Sequence, residues 1–128
     1  PTQKKMVDEG LLGRKSGQGY YDYSNGAAMP QPVEDKNSGK KIFNRILAML
    51  INEAADTLNL AIACRDDIDT AMTIGVNYPK GLLKWADEIG IESVCTRLIN
   101  FQSHSDDDRY KPCSLLIKMA KENYNFYA

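Results

Sequence analysis

KKIFNRILAMLINEAADTLNL, residues 40–60, decides how the rest of the chain is read. Phe43, Leu47, Leu50, Ala54 and Leu58 recur three or four residues apart, the spacing of one helical face. Ile42, Ile46, Met49 and Ile51 widen that stripe over most of the first three turns. A helix apolar around so much of its girth is buried on more than one side. The run is therefore predicted to be the central helix of its domain, with a face left over for a partner.

Working downstream, residues 65–73 form a short helix with Asp66 and Asp67 in its first turn, where the helix dipole favours negative charge. Gly75 can end it, and Asn77-Tyr78-Pro79-Lys80-Gly81 is a tight turn. Leu82, Leu83, Trp85, Ala86 and Ile89 mark the next helix, stopped by Gly90, with Trp85 expected to be buried against the central helix. Residues 91–102 and 113–122 make two more helices, Pro112 suiting the entry to the last. Residues 103–108 read as a polar loop between them. No convincing strand pattern follows residue 27, so the domain reads as all-α.

Upstream, the composition changes. Residues 2–9 form a short helix ended by Gly10, followed by LGRKSGQGYYDYSNG at 12–26. Gly13, Gly17 and Gly19 rule out a helix there, and residues 20–23 can run extended. The glycine spacing, beside Arg14 and Lys15, matches neither a dinucleotide fingerprint nor a P-loop, and no helix follows to point its N-terminus at a phosphate. Residues 27–39, with Pro30, Pro32, Asn37, Ser38 and Gly39, carry no periodicity and read as a linker. An echo joins the two ends. Met6-Val7-Asp8-Glu9-Gly10 lines up with Met119-Ala120-Lys121-Glu122-Asn123, and aromatics follow both (Tyr20 and Tyr21; Phe126 and Tyr127). Gly10 and Asn123 are the residue types suited to a left-handed helix end. The predicted organisation is 1–26, the tail of a preceding helical domain; 27–39, a linker; and 40–128, a second helical domain.

With 128 residues, 16 basic and 17 acidic side chains and a net charge of −1, nothing attracts nucleic acid or an anionic membrane. No run of apolar residues is long enough to span a bilayer. The chain begins at Pro1 without a basic-then-apolar leader, which reads as a piece of something longer rather than a secreted precursor. Cys64, Cys95 and Cys113 are odd in number and widely spaced, the pattern of reduced thiols in a cytoplasmic protein.

INEAADTLNLAIACRDDIDTAMTIGVNYPKGLLKWADEIG, residues 51–90, resembles the C-terminal helical domain of 3-hydroxyacyl-CoA dehydrogenases, including the 3-hydroxybutyryl-CoA type. The matching features are Asn44-Arg45, Asn52-Glu53-Ala54, Asp67-Ile68-Asp69, Gly75 to Pro79, Gly81, and Asp87 to Gly90. LGRKSGQGYYDYS looks like the signature that closes such a domain. The resemblance implies an all-α fold like the C-terminal domains of 3-hydroxyacyl-CoA and 6-phosphogluconate dehydrogenases, with a glycine-rich turn and an extended aromatic N-terminal segment. It implies a longer parent enzyme that moves hydride between an acyl-CoA and NAD, using a Rossmann domain and a first helical domain beyond this chain.

Few residues here invite a chemical role. In the family an asparagine at the Asn44-Arg45 motif orients substrate near a catalytic histidine. The match departs from the pattern at Lys41, where a phenylalanine is usual, and at Met49, where a proline is usual. Asn44 is thus the one catalytic candidate, and a weak one; Glu53 is first a capping or salt-bridge partner. His104, in Ser103-His104-Ser105-Asp106, matches neither family position and is expected to be a solvated histidine, since side chains adjacent on one loop rarely form a triad. Asp67-x-Asp69 fails as a calcium loop because Met72 stands where glycine is required. Asp106-Asp107-Asp108 reads as a solvated charge run. No cofactor or metal is expected in this part.

The reading is a C-terminal fragment of such a dehydrogenase, serving packing and dimerisation in fatty-acid or related acyl-CoA catabolism. Ile42, Phe43, Ile46, Leu47, Met49 and Leu50 are its homodimer surface. The alternative is a helical interaction module with no catalytic parent.

Overall fold

The computed structural model describes residues 2–105 and 107–127, which fall into two compact units, 1–35 and 36–128. In the first, α1 (Thr2–Asp8) ends at Gly10, whose φ of 72° is left-handed. A turn over residues 14–17 and bends at 19–21 follow. Isolated antiparallel bridges join Gly13 to Gln18 and Gln18 to Asp22. Tyr20 and Tyr21 therefore lie on bends, not in the extended run anticipated for them. No described residue of this unit is buried.

The second unit is built around α2 (Lys36–Asn59), 24 residues long. It starts at Lys36, inside the predicted linker, because a solvated polar first turn carries no apolar period to reveal it. Once a helix exists, adding residues costs little, so Gly39 does not stop it. Leu47, Ala48, Ile51, Ala54 and Ala55 are buried along its inner face. Against them pack α4 (Leu82–Ile89), α5 (Ile91–Ser105) and α6 (Ser114–Glu122). α3 (Arg65–Thr70) widens into a π-helical turn at Ala71–Gly75 and packs on α4. Leu83, Val94, Leu98, Leu116 and Met119 fill the shared core.

α5 runs to Ser105, past the predicted loop start at 103. Ser103 and Ser105 donate their hydroxyls to the carbonyls of Asn100 (2.9 Å) and Phe101 (2.7 Å), so polar residues extend the helix without a solvated break. Asp107 then caps a single 3₁₀ turn at Asp108–Tyr110, accepting from the Arg109 amide; Asp106 lies outside the described residues. α6 ends at Asn123, left-handed at φ 53°, as its echo Gly10 ends α1.

Three polar anchors hold the elements in place. Asn52, buried on α2, donates to the Lys111 carbonyl (3.0 Å) and accepts from the Cys113 amide (2.8 Å). That staples α2 to the entry of α6. Arg45 donates to the hydroxyl of Tyr110, whose ring is buried below the guanidinium. Asp69 of α3 accepts from the amides of Leu83 (2.8 Å) and Lys84 (3.0 Å), capping α4 from fourteen residues away in sequence.

Candidate functional site

Outside the core, one side of α2 borders two apolar hollows that share Leu50. The first, of ≈ 290 Å³, is lined by Phe43, Ile46, Leu47, Tyr78, Pro79 and Trp85. The second, of ≈ 450 Å³, continues along α2 past Ala54 and Thr57 to Ile68, Met72 and Leu82. Together they form a trough whose α2 side is the stripe Phe43, Ile46, Leu50, Glu53 and Thr57. At one end Trp85 faces the Phe43 ring at 5.7 Å, and Lys80, ion-paired with Glu88, lies 5.6 Å over the indole. Glu53 and Asp67 border the other end.

The residues singled out for a partner divide here. Ile42, Phe43 and Ile46 are 59%, 49% and 52% exposed, and Met49 and Leu50 are half-buried. Leu47 is only 4% exposed and belongs mainly to the chain's own core. Trp85, expected to be buried, is half-buried on the trough wall, because α4 turns Leu82, Leu83 and Ala86 inward instead.

The chemical candidates are not brought together. Asn44 is half-buried one turn before Ala48, on the stripe that Ile51 and Ala55 continue, and does not line the trough. Its neighbour Arg45 is committed to Tyr110. Glu53 is exposed and makes no ion pair among the described residues. His104 sits in the last turn of α5, exposed, with Nδ1 2.6 Å from the Asn100 carbonyl. Only a protonated Nδ1 can donate there, so that nitrogen has no lone pair for the Ser103 hydroxyl 3.2 Å away. Burial pushes the thiols of Cys95 and Cys113 above their ordinary pKa. Cys64 is exposed and donates to Asp67. Among the described residues no group of three or more His, Cys, Asp or Glu side chains is placed to hold a metal.

The glycine-rich loop of the first unit does not fit a dinucleotide. Several of its amides are already taken: Leu12 donates to the Ser16 hydroxyl, Gly13 to the Gln18 carbonyl and Gly19 to the Tyr21 carbonyl. The close approach that needs Gly19 is filled by the chain itself, since a Cβ there would lie 2.7 Å from the Gly13 Cα. A phosphate cradle aims amides from a helix N-terminus, and the next described helix starts only at Lys36.

Sequence reasoning named Asp69, Gly81 and Asp87 among the matches but gave them no task, and the structure supplies one. A Cβ on Gly81 would stand 2.1 Å from the Asp69 carboxyl carbon, so glycine is what lets that carboxylate reach the start of α4. Leu82, the first residue of α4, donates to neither Asp69 oxygen. A proline at position 82 would lose no hydrogen bond to Asp69. Asp87 accepts from the amides of Phe126 (2.9 Å) and Tyr127 (2.8 Å).

The second unit is thus all-helical, with an apolar trough along α2 and its polar candidates dispersed. The chain belongs to the 3-hydroxyacyl-CoA dehydrogenase C-terminal domain family, whose model matches residues 42–126. It is 49% identical over 76 residues to a 3-hydroxyadipyl-CoA dehydrogenase of Escherichia coli K12, covering 59% of this chain and 16% of that protein. The structure of (S)-3-hydroxybutyryl-CoA dehydrogenase PaaH1 from Ralstonia eutropha superposes with a TM-score of 0.62 at 34% identity, over 64% of this chain and 29% of that one. A 3-hydroxybutyryl-CoA dehydrogenase from E. coli K12 superposes with a TM-score of 0.70 at 25% identity, over 94% of this chain and 44% of that one. The chain thus spans less than half the length of each of these relatives.

Proposed function

We propose that this chain is the C-terminal helical part of an NAD-dependent 3-hydroxyacyl-CoA dehydrogenase of the 3-hydroxybutyryl-CoA kind. The whole enzyme transfers hydride between the 3-hydroxyl carbon of an acyl-CoA and nicotinamide, in fatty-acid or related acyl-CoA catabolism, in the cytoplasm. Residues 1–26 are the tail of a first helical domain, and the unit after the linker is a second copy. Hydride transfer needs a nucleotide-binding sheet, so the cofactor and the reacting carbon sit elsewhere in the longer protein. The part described here packs and dimerises.

The observation that carries this role is the exposed apolar row of Ile42, Phe43 and Ile46 beside the trough. Soluble monomers rarely leave such a patch bare, and a two-fold axis covers the same patch on both copies. The charges of α2 favour an antiparallel arrangement. Its first half carries Lys36, Lys40, Lys41 and Arg45; its second carries Glu53 and Asp56. An axis through Ile46 and Leu47 sets Phe43 against the partner's Leu50 and Lys40 against the partner's Glu53.

Light scattering after gel filtration tests the dimer directly, with an expected mass of twice the 14.3 kDa chain at micromolar concentration. A monomer at high concentration overturns it. Lys40→Glu and Glu53→Lys should each weaken the dimer, and the double exchange should restore it. A dimer indifferent to all three keeps the face but rejects the antiparallel register.

A further inference from the structure

Beyond the α6 end at Asn123, Phe126 and Tyr127 are tied by polar contacts to both α3 and α4. Phe126 and Tyr127 donate their amides to the two oxygens of Asp87 on α4 (2.9 and 2.8 Å). Arg65 of α3 donates to the Phe126 carbonyl (2.8 Å) and lies 4.1 Å over the Tyr127 ring. The Tyr127 hydroxyl donates to Asp69 (2.9 Å), and Phe126 is only 8% exposed. Burial, then the Asp69 carboxylate, holds the phenol above its ordinary pKa, so it remains a donor at neutral pH.

Asp69 has two tasks at once: it receives Tyr127, and it caps α4 through Leu83 and Lys84. Asp87, one turn further along α4, receives the strap backbone. Trp85 lies between these two attachment points and forms the trough wall opposite Phe43.

We infer that the C-terminal Phe126–Tyr127 strap is a latch that fixes the shape of the apolar trough, with Asp69, Asp87 and Arg65 as its clasp. Docked, the strap holds both ends of the α4 segment that presents Trp85. Released, it leaves the Asp69 carboxylate short of one donor and exposes the Phe126 seat, so α4 loosens and the Trp85 wall opens. This goes beyond a packing role, because whatever fills the trough meets a wall set by Phe126 and Tyr127. It does not depend on what that occupant is.

Trp85 is the one tryptophan of the chain, so its fluorescence reads the wall directly. Asp87→Ala in the full chain should release the strap while far-UV circular dichroism keeps its helix content. The Phe126 and Tyr127 amides should then exchange as in an unfolded peptide, and those of Leu83 and Lys84 about tenfold faster than in the parent. Acrylamide quenching of Trp85 should rise roughly twofold, the signature of local opening. A released strap with Leu83, Lys84 and Trp85 unchanged overturns the latch. If Asp87→Ala does not fold, Tyr127→Phe keeps the ring and the backbone clasp and removes the hydroxyl. It should shift the Leu83 and Lys84 exchange in the same direction by a smaller factor, and no shift overturns the proposal.

Discussion

Asp69 and Gly81 act as a pair. The carboxylate reaches three donors only because no Cβ stands at position 81. Gly81→Ala should therefore push Asp69 off the α4 amides and destabilise the unit by about 2–3 kcal/mol, the range for overpacking with loss of a cap. Urea melts check this; a loss under about 0.5 kcal/mol would mean the carboxylate moves aside freely. The backbone at Gly81 is ordinary, with φ −65° and ψ 148°, so the demand comes from space alone. Gly90 differs: its φ of 91° is a conformation only glycine adopts easily, and it lets α5 begin where α4 stops. Sequence reading found Gly90 as a stop. It had no means to find the Gly81 requirement, which is set by a side chain twelve residues away.

At the scale of elements, α4 turns one face to the core and leaves its aromatic residue on the trough. Trp85→Ala removes a half-buried ring that touches Phe43 and lies beneath Lys80, so the expected cost is about 2 kcal/mol rather than the ~3–5 of a fully buried aromatic. Denaturation of the purified variant measures it, and a loss above about 4 kcal/mol would place the ring in the core after all. The apolar spacing made the helix legible but not the direction of its bulkiest residue. Leu82, Leu83 and Ala86 satisfy the same periodicity and are the residues that α4 buries. The early start of α2 and the extra turn of α5 escaped the sequence for a related reason. Both are polar, and their extra turns rest on hydrogen bonds and helix cooperativity rather than apolar burial.

For the whole molecule, the chemical candidates lie dispersed among the described residues, and several polar groups are engaged internally. Amides of Leu12, Gly13 and Gly19 in the glycine-rich loop are engaged internally, and His104 donates into its own helix. The chain by itself should show no saturable heat of binding with NAD in calorimetry and no oxidation of 3-hydroxybutyryl-CoA. Saturable binding, or turnover lost in Asn44→Ala, would show that a nucleotide or substrate site had been missed. Each of the two compact units has its own logic. The first has a left-handed helix end followed by aromatics with none of its described residues buried. The second repeats the same local pattern at its C-terminus, with the aromatics clasped by Asp69, Asp87 and Arg65.

The sequence by itself determined the all-α class, the central helix, the order of the later helices, the glycine and asparagine helix ends, and the family, because each rests on local spacing or a short motif. Only the tertiary structure decided what the matching residues are for. Asn52, Asp69, Gly81 and Asp87 each meet partners at least twelve residues away, and so does Arg45 across to Tyr110. No periodicity carries such pairings. Hydrogen bonds of buried carboxylates and amides are fixed by which elements come to lie side by side, and that is settled only when the chain packs.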